Sequence, residues 1–148
     1  MNAIVTLPMR AIPVPPNRRM TALPNAFGAA MLLAENTIYN FASDLGGASY
    51  RAGLWDFYQT TNGGFFMSPR SDVPFSVNVR TNGSSGEMTP DAFGITCCLF
   101  AYSHLSMAMH ERGRITLSEQ FGEHYHKLRD FILARDDEEL EGIWGAID

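Results

Sequence analysis

The segment from Thr89 to about Glu111, TPDAFGITCCLFAYSHLSMAMHE, constrains the fold more than any other. It opens with a capping hydroxyl, a proline at the first helical position and an acid in the first turn, all signals of a helix start. The remainder is apolar nearly all round, with Phe93, Ile95, Cys97, Cys98, Leu99, Phe100, Tyr102 and Leu105 leaving no polar face. A helix of that kind belongs at the centre of a domain. The rest of the chain has to pack around it, and Gly113 ends the segment.

Strands precede this helix. Leu54 to Thr60 and Gly64 to Ser68 read as two strands, and Pro69 closes the second. Asn62-Gly63 between them predicts a type I′ hairpin turn, which needs positive φ at both central residues. Phe75, Val77 and Val79 alternate with Ser76, Asn78 and Arg80, giving a third strand with one polar face. The turn residues Thr81 to Gly86 lead to a short fourth strand, Gly86 to Met88. Connections this short make the pairing antiparallel.

Residues 26–45 read as the first helix, with Phe27, Met31, Ala34, Ile38, Phe41 and Leu45 on one face. Asn25 caps its start and Gly46-Gly47 ends it. Thr116-Leu117-Ser118-Glu119 has the form of a capping box. The stripe Leu117, Phe121, Tyr125, Leu128 and Ile132 continues from it. A last helix starts near Asp136 and Asp137 and buries Leu140, Ile143, Trp144 and Ile147. Before residue 26, the five prolines Pro8, Pro13, Pro15, Pro16 and Pro24 favour extended backbone over helix. The expectation is α+β: a Pro-rich N-terminal tail, residues 1–25, and a single compact domain, residues 26–148. Its antiparallel sheet of three to four strands packs against about four helices.

At 148 residues the chain is the size of one domain. Its N-terminus has no basic n-region and its apolar stretch is broken by Pro8, so it does not read as a secretory signal. No apolar run approaches the ~20 residues of a membrane helix. The expected location is the cytoplasm, without membrane contact. The net charge of −5 is uneven: residues 1–110 hold six basic and six acidic residues, residues 111–148 five basic and ten acidic. A basic stripe for nucleic acid is lacking. Arg10, Arg18 and Arg19 in the tail are the weak candidates for one.

No motif carries obvious chemistry. Cys97 and Cys98 are adjacent, without metal or disulfide spacing, and fit a buried helix. His124 and His126, two apart on a helix, point in nearly opposite directions, and His104 and His110 share no face. Ser84 and Ser85 lie in a turn that lacks the nucleophile-elbow pattern. Neither a phosphate loop nor a dinucleotide fingerprint occurs. The acidic run Asp136, Asp137, Glu138, Glu139 and Glu141 reads first as a solvated helix start and second as a protein-contact patch. Mimicry of DNA would need about one negative charge per 1.7 Å of axis, which this clustered charge does not approach. In the hairpin, Trp55 and Phe57 face one way and Leu54, Asp56 and Tyr58 the other, so both faces carry aromatics. The first reading is a core hairpin, the second a recognition patch. Asp56, a carboxylate among apolar neighbours, needs water or a partner such as Arg51, Arg70 or Arg80.

Several separate segments together resemble the ArdB/KlcA antirestriction family. They are Leu23 to Gly28, Trp55 to Tyr58, Asn62 to Pro69, Ser85 to Thr89 with Asp91-Ala92 and Gly94-Ile95, and the ending Ala146-Ile147-Asp148. The similarity runs from about Arg19 to Asp148. It implies a compact α+β protein of bacterial mobile elements such as plasmids. Such a protein relieves type I restriction by blocking endonuclease cutting while largely sparing methylation. It implies no cofactor, no metal and no catalytic residue.

The expected function is therefore non-enzymatic antirestriction without DNA mimicry. The partner is a type I restriction–modification complex or a host factor, reached directly or indirectly, with nucleic acid an improbable direct ligand. The candidate contact residues are Asp56, Asp136, Asp137, Glu138, Glu139 and Asp148. Two rival readings are a small hydrolase, with or without a metal, using His104, His124 or Glu87, and nucleic-acid binding through the N-terminal arginines.

Overall fold

The computed structural model describes residues 8–135 and 137–148. In chain order the elements are β1 (Ala11–Pro13), α1 (Arg19–Phe27), α2 (Met31–Gly46), β2 (Trp55–Thr60), β3 (Phe65–Pro69), β4 (Phe75–Asn78), β5 (Ser85–Met88), α3 (Pro90–Glu111), α4 (Ile115–Ala134) and α5 (Glu141–Ile147). The class is α+β, as the sequence implies. The strands divide between two antiparallel sheets, β1-β2-β3 and β4-β5.

Helix α3 is the centre of the molecule. The Thr89 hydroxyl accepts from the Ala92 N–H at 3.2 Å and caps its start. Its buried side chains come from every face and include Phe93, Ile95, Cys98, Leu99, Tyr102 and Leu105. Among the described residues it is the one helix long and apolar enough to cross a membrane, with a mean hydropathy of 1.4. That value belongs to its most apolar 18 residues, most of which are buried inside the fold.

The helix lies directly against the free side of β3. An added Cβ on Gly94 would stand 2.6 Å from Ser68 Cα, so only glycine permits the approach. The Tyr102 hydroxyl donates to the Phe65 carbonyl at 2.7 Å, supplying a bond that a further strand would otherwise provide. All five β3 residues are buried. On one face of this sheet, Trp55 and Phe57 pair with Pro69 and Met67. Tyr39 of α2 packs on Trp55 there, and Phe27 of α1 on Phe65. On the other, Tyr58 stacks on Phe66 at 4.8 Å, and Phe66 packs on Phe131 of α4. The hairpin is thus a core element with aromatics on both faces. The second sheet packs on α3 through Phe75, which stacks on Phe93 at 4.4 Å.

Four local expectations are corrected. Residues before 26 are not uniformly extended: β1 pairs with β2 and α1 spans Arg19–Phe27 with Pro24 inside it. Proline loses one internal bond there, which burial of Ala22 and Phe27 offsets. Asn25 consequently lies inside α1 and caps nothing, and α2 begins at Met31. The β2–β3 connection is not type I′. Among the described residues no non-glycine has positive φ; only Gly63, at φ 86°, does so in this loop. The Gly63 N–H donates to the Thr60 carbonyl at 3.0 Å, so a β-turn followed by a left-handed glycine makes a three-residue loop. Finally, Thr116 does not cap α4, which starts at Ile115 without a side-chain cap. Ser118 within that segment instead donates to the Ser106 carbonyl at 2.7 Å, binding α4 to α3.

Candidate functional site

Asp56 has partners. Arg70 Nε donates to Asp56 Oδ1 at 2.9 Å, with the Arg70 Nη2 at the same distance. Arg70 follows β3 directly, so the antiparallel register brings it beside Asp56. Arg19 also approaches, its Nη1 3.8 Å from Asp56 Oδ1. Its guanidinium lies 4.6 Å from the Phe57 ring centroid and donates to the Trp55 carbonyl. Of the three arginines expected near Asp56, Arg70 is the partner found. Sequence reasoning misses Arg19, because it lies 37 positions from Asp56 and only the fold joins them.

A ladder pairing and two side-chain bonds lead from Asp56 toward the C-terminal segment. Asp56 is opposite Ser68 in the ladder. The buried Ser68 hydroxyl donates to Asp91 Oδ1 at 2.8 Å, in the first turn of α3. Two residues earlier, the Thr89 hydroxyl donates to Glu139 Oε1 at 2.6 Å. The hairpin is thereby tied to the first turn of α3, and the start of α3 to the acidic C-terminal segment. At Tyr58, burial, then the charges of Asp91 and Asp56, push the phenol above its ordinary range.

The acidic residues are not equivalent. Asp137 Oδ1 accepts from the Glu139 N–H at 3.1 Å and caps the short helical turn Glu138–Leu140, while its other oxygen lies 3.7 Å from Arg135. Glu139 is held by Thr89. Glu138 is exposed. Asp136 lies outside the described residues. Asp148 is exposed at the end of α5, whose last turn is fixed by the Asn82 amide donating to the Gly145 and Ala146 carbonyls at 3.1 and 3.0 Å.

The residues considered for catalysis are dispersed. His104 is exposed and edge-on to Phe41, and Glu87 is exposed on β5. His124 is half-buried, with Nε2 2.8 Å from the Ala26 carbonyl. Among the described residues no three histidine, cysteine or acidic side chains group as metal ligands. Burial pushes the Cys98 thiol up to about 12 and raises Cys97 well above its ordinary value, so both side chains stay protonated and inert at neutral pH. Of the N-terminal arginines, Arg19 is engaged by the hairpin. The assembled surface offers carboxylates, a phenol and a guanidinium set by their neighbours.

The description "antirestriction protein" belongs to the family that matches residues 48–148. An antirestriction protein KlcA of Escherichia coli is 35% identical over 133 residues, covering 88% of this chain and 87% of that protein. A second Escherichia coli KlcA is 30% identical over 142 residues, covering 95% and 96%. A solved structure from work on KlcA and ArdB, described as showing a novel fold and antirestriction activity against type I DNA restriction systems in vivo but not in vitro, aligns over the whole of both chains. Its TM-score is 0.83 and its identity 31%.

Proposed function

Because the chain belongs to the antirestriction protein family, we propose that it relieves type I restriction of incoming DNA in the bacterial cytoplasm, blocking cleavage and sparing methylation. It acts by binding, neither as an enzyme nor as a DNA mimic. The observation that carries this reading is the whole-chain likeness to proteins described as active against type I systems in vivo but not in vitro. Activity of that kind fits an indirect route, through a host factor or a cellular state of the restriction complex. The charge pattern supports the exclusion of mimicry. A net charge of −5 is far from the density of a duplex, and Asp56, Asp137 and Glu139 have local partners. The contact surface is the stretch from Asp56 to the acidic segment with Asp136, Asp137, Glu138 and Glu139, together with Asp148.

The test is the plating of unmodified phage on a type I restricting host that expresses the protein. Plating efficiency rises, and DNA from the surviving phage is methylated as in cells without the protein. Unchanged restriction despite folded expression rejects antirestriction. Restored plating with lost methylation rejects the selective block.

A further inference from the structure

A cleft of about 700 Å³ lies between the α1–α2 junction and the first half of α4, apart from the acidic surface. Its size falls within the ~300–1,000 Å³ of small-ligand pockets. One wall is Pro24 to Gly28, most of a segment that the sequence singles out and to which the fold assigns little: Pro24, Asn25 and Gly28 are exposed. Phe27 lies at its base against Phe121, and Leu33 and Leu117 supply apolar sides. The polar side chains are unequal. Lys127 is neutralised by Glu123 at 2.9 Å. Among the described residues, the Arg114 guanidinium and the Asn25 and Gln120 amides have no bond to another protein group. His124 is in the same wall. Its Nε2 is spent on the Ala26 carbonyl, and its buried Nδ1 has no partner.

One unpaired guanidinium, lining the same cleft as two free amides and apolar side chains, is a donor set for a carboxylate. With Glu123 and Lys127 compensating each other, Arg114 leaves the cleft one net positive charge, which a single negative charge matches. We propose that this cleft binds a monocarboxylate, with its carboxylate on Arg114 and its apolar body against Leu33, Leu117 and Phe27. Two sources share that chemistry: a free amphipathic acid and the C-terminal residue of a polypeptide. The site is independent of the antirestriction reading.

Amide NMR of the full chain tests it without any restriction assay. The probes are N-acetyl-phenylalanine, its carboxamide, a tetrapeptide ending in phenylalanine with a free carboxylate, and inorganic phosphate. Saturable shifts at Gly28, Leu117 and Gln120 are expected with a free acid and not with the carboxamide. Arg114→Gln weakens binding by at least about tenfold, since a charge-assisted bond is lost. Arg112→Gln leaves it unchanged, and Gln120→Ala gives an independent smaller loss. Binding of the tetrapeptide alone identifies a chain terminus as the source; comparable binding of the small acid identifies a free acid. Equal binding of the carboxamide, preference for phosphate, absence of saturable shifts with both acids, or full affinity in Arg114→Gln overturns the proposal.

Discussion

The Thr89 hydroxyl joins two elements: it accepts from the Ala92 N–H at 3.2 Å and donates to the Glu139 carboxylate at 2.6 Å. The residue that starts the central helix also anchors the acidic segment. Charge and structure are therefore entangled at Glu139, and neutralising Asp136, Asp137, Glu138 and Glu139 together would remove both.

The first prediction separates them. Glu138→Gln combined with Asp148→Asn removes two exposed charges and leaves the Thr89 bond and the Asp137 cap intact. Plating efficiency in the restriction assay is expected to fall with no change in melting temperature. Glu139→Ala is expected to cost about 1 kcal/mol in chemical denaturation, the net worth of one hydrogen bond. Full antirestriction in the double variant would leave the acidic run as a solvated helix start.

Gly94→Ala tests how closely α3 approaches β3. The new methyl would stand 2.6 Å from Ser68 Cα, a backbone atom that cannot turn aside. The loss should be about 3 kcal/mol or more, at the upper end for overpacked cores. A urea titration with an unchanged midpoint would mean that the two elements are further apart.

Tyr102→Phe removes the hydroxyl that donates to the Phe65 carbonyl and leaves that buried acceptor short of a donor. The expected destabilisation is roughly 1–2 kcal/mol. Amide exchange near Phe65 should accelerate with it, because the bond holds the inner side of β3.

His124 makes stability depend on pH. Burial, the largest cause, holds its imidazole below the ordinary 6.5, although the hydrogen bond to Ala26 acts the other way. The folded state therefore prefers the neutral ring, and the unfolded chain takes up the proton first. Well above 6.5 both states are neutral and the residue contributes no slope. As pH falls below 6.5, stability drops until the folded state's own lower value is reached, and then levels. His124→Gln, which keeps a donor for Ala26, should remove this part of the loss as pH falls through 6.5 in urea midpoints. An unchanged loss would assign it to another group.

Much of this architecture was legible where local signals agree with the global fold. Thr89-Pro90-Asp91 starts α3 where expected, and the alternation in residues 54–79 finds three strands. The misses share a cause. Prolines argue locally against structure before residue 26, yet α1 forms because Phe27 and Ala22 are buried and Arg19 reaches the hairpin. The Thr116 box loses to the packing of α4 on α3, which draws Ser118 to Ser106. The candidate surface was legible in part. Asp56 stands out as a carboxylate in need of a partner, but Arg19 reaches it only through the fold, as Thr89 reaches Glu139.

Because a helix seals the inner side of β3, one side of the three-stranded sheet is closed to another chain. The other side belongs to β1, a strand of three residues that contains Pro13 and is followed by Pro15 and Pro16. Proline offers no amide donor and blunts an edge against a foreign strand. The hairpin, the most aromatic part of the protein, thus has one flank walled off and the other guarded. Its protection against aggregation resides in the very prolines that made the N-terminus look structureless.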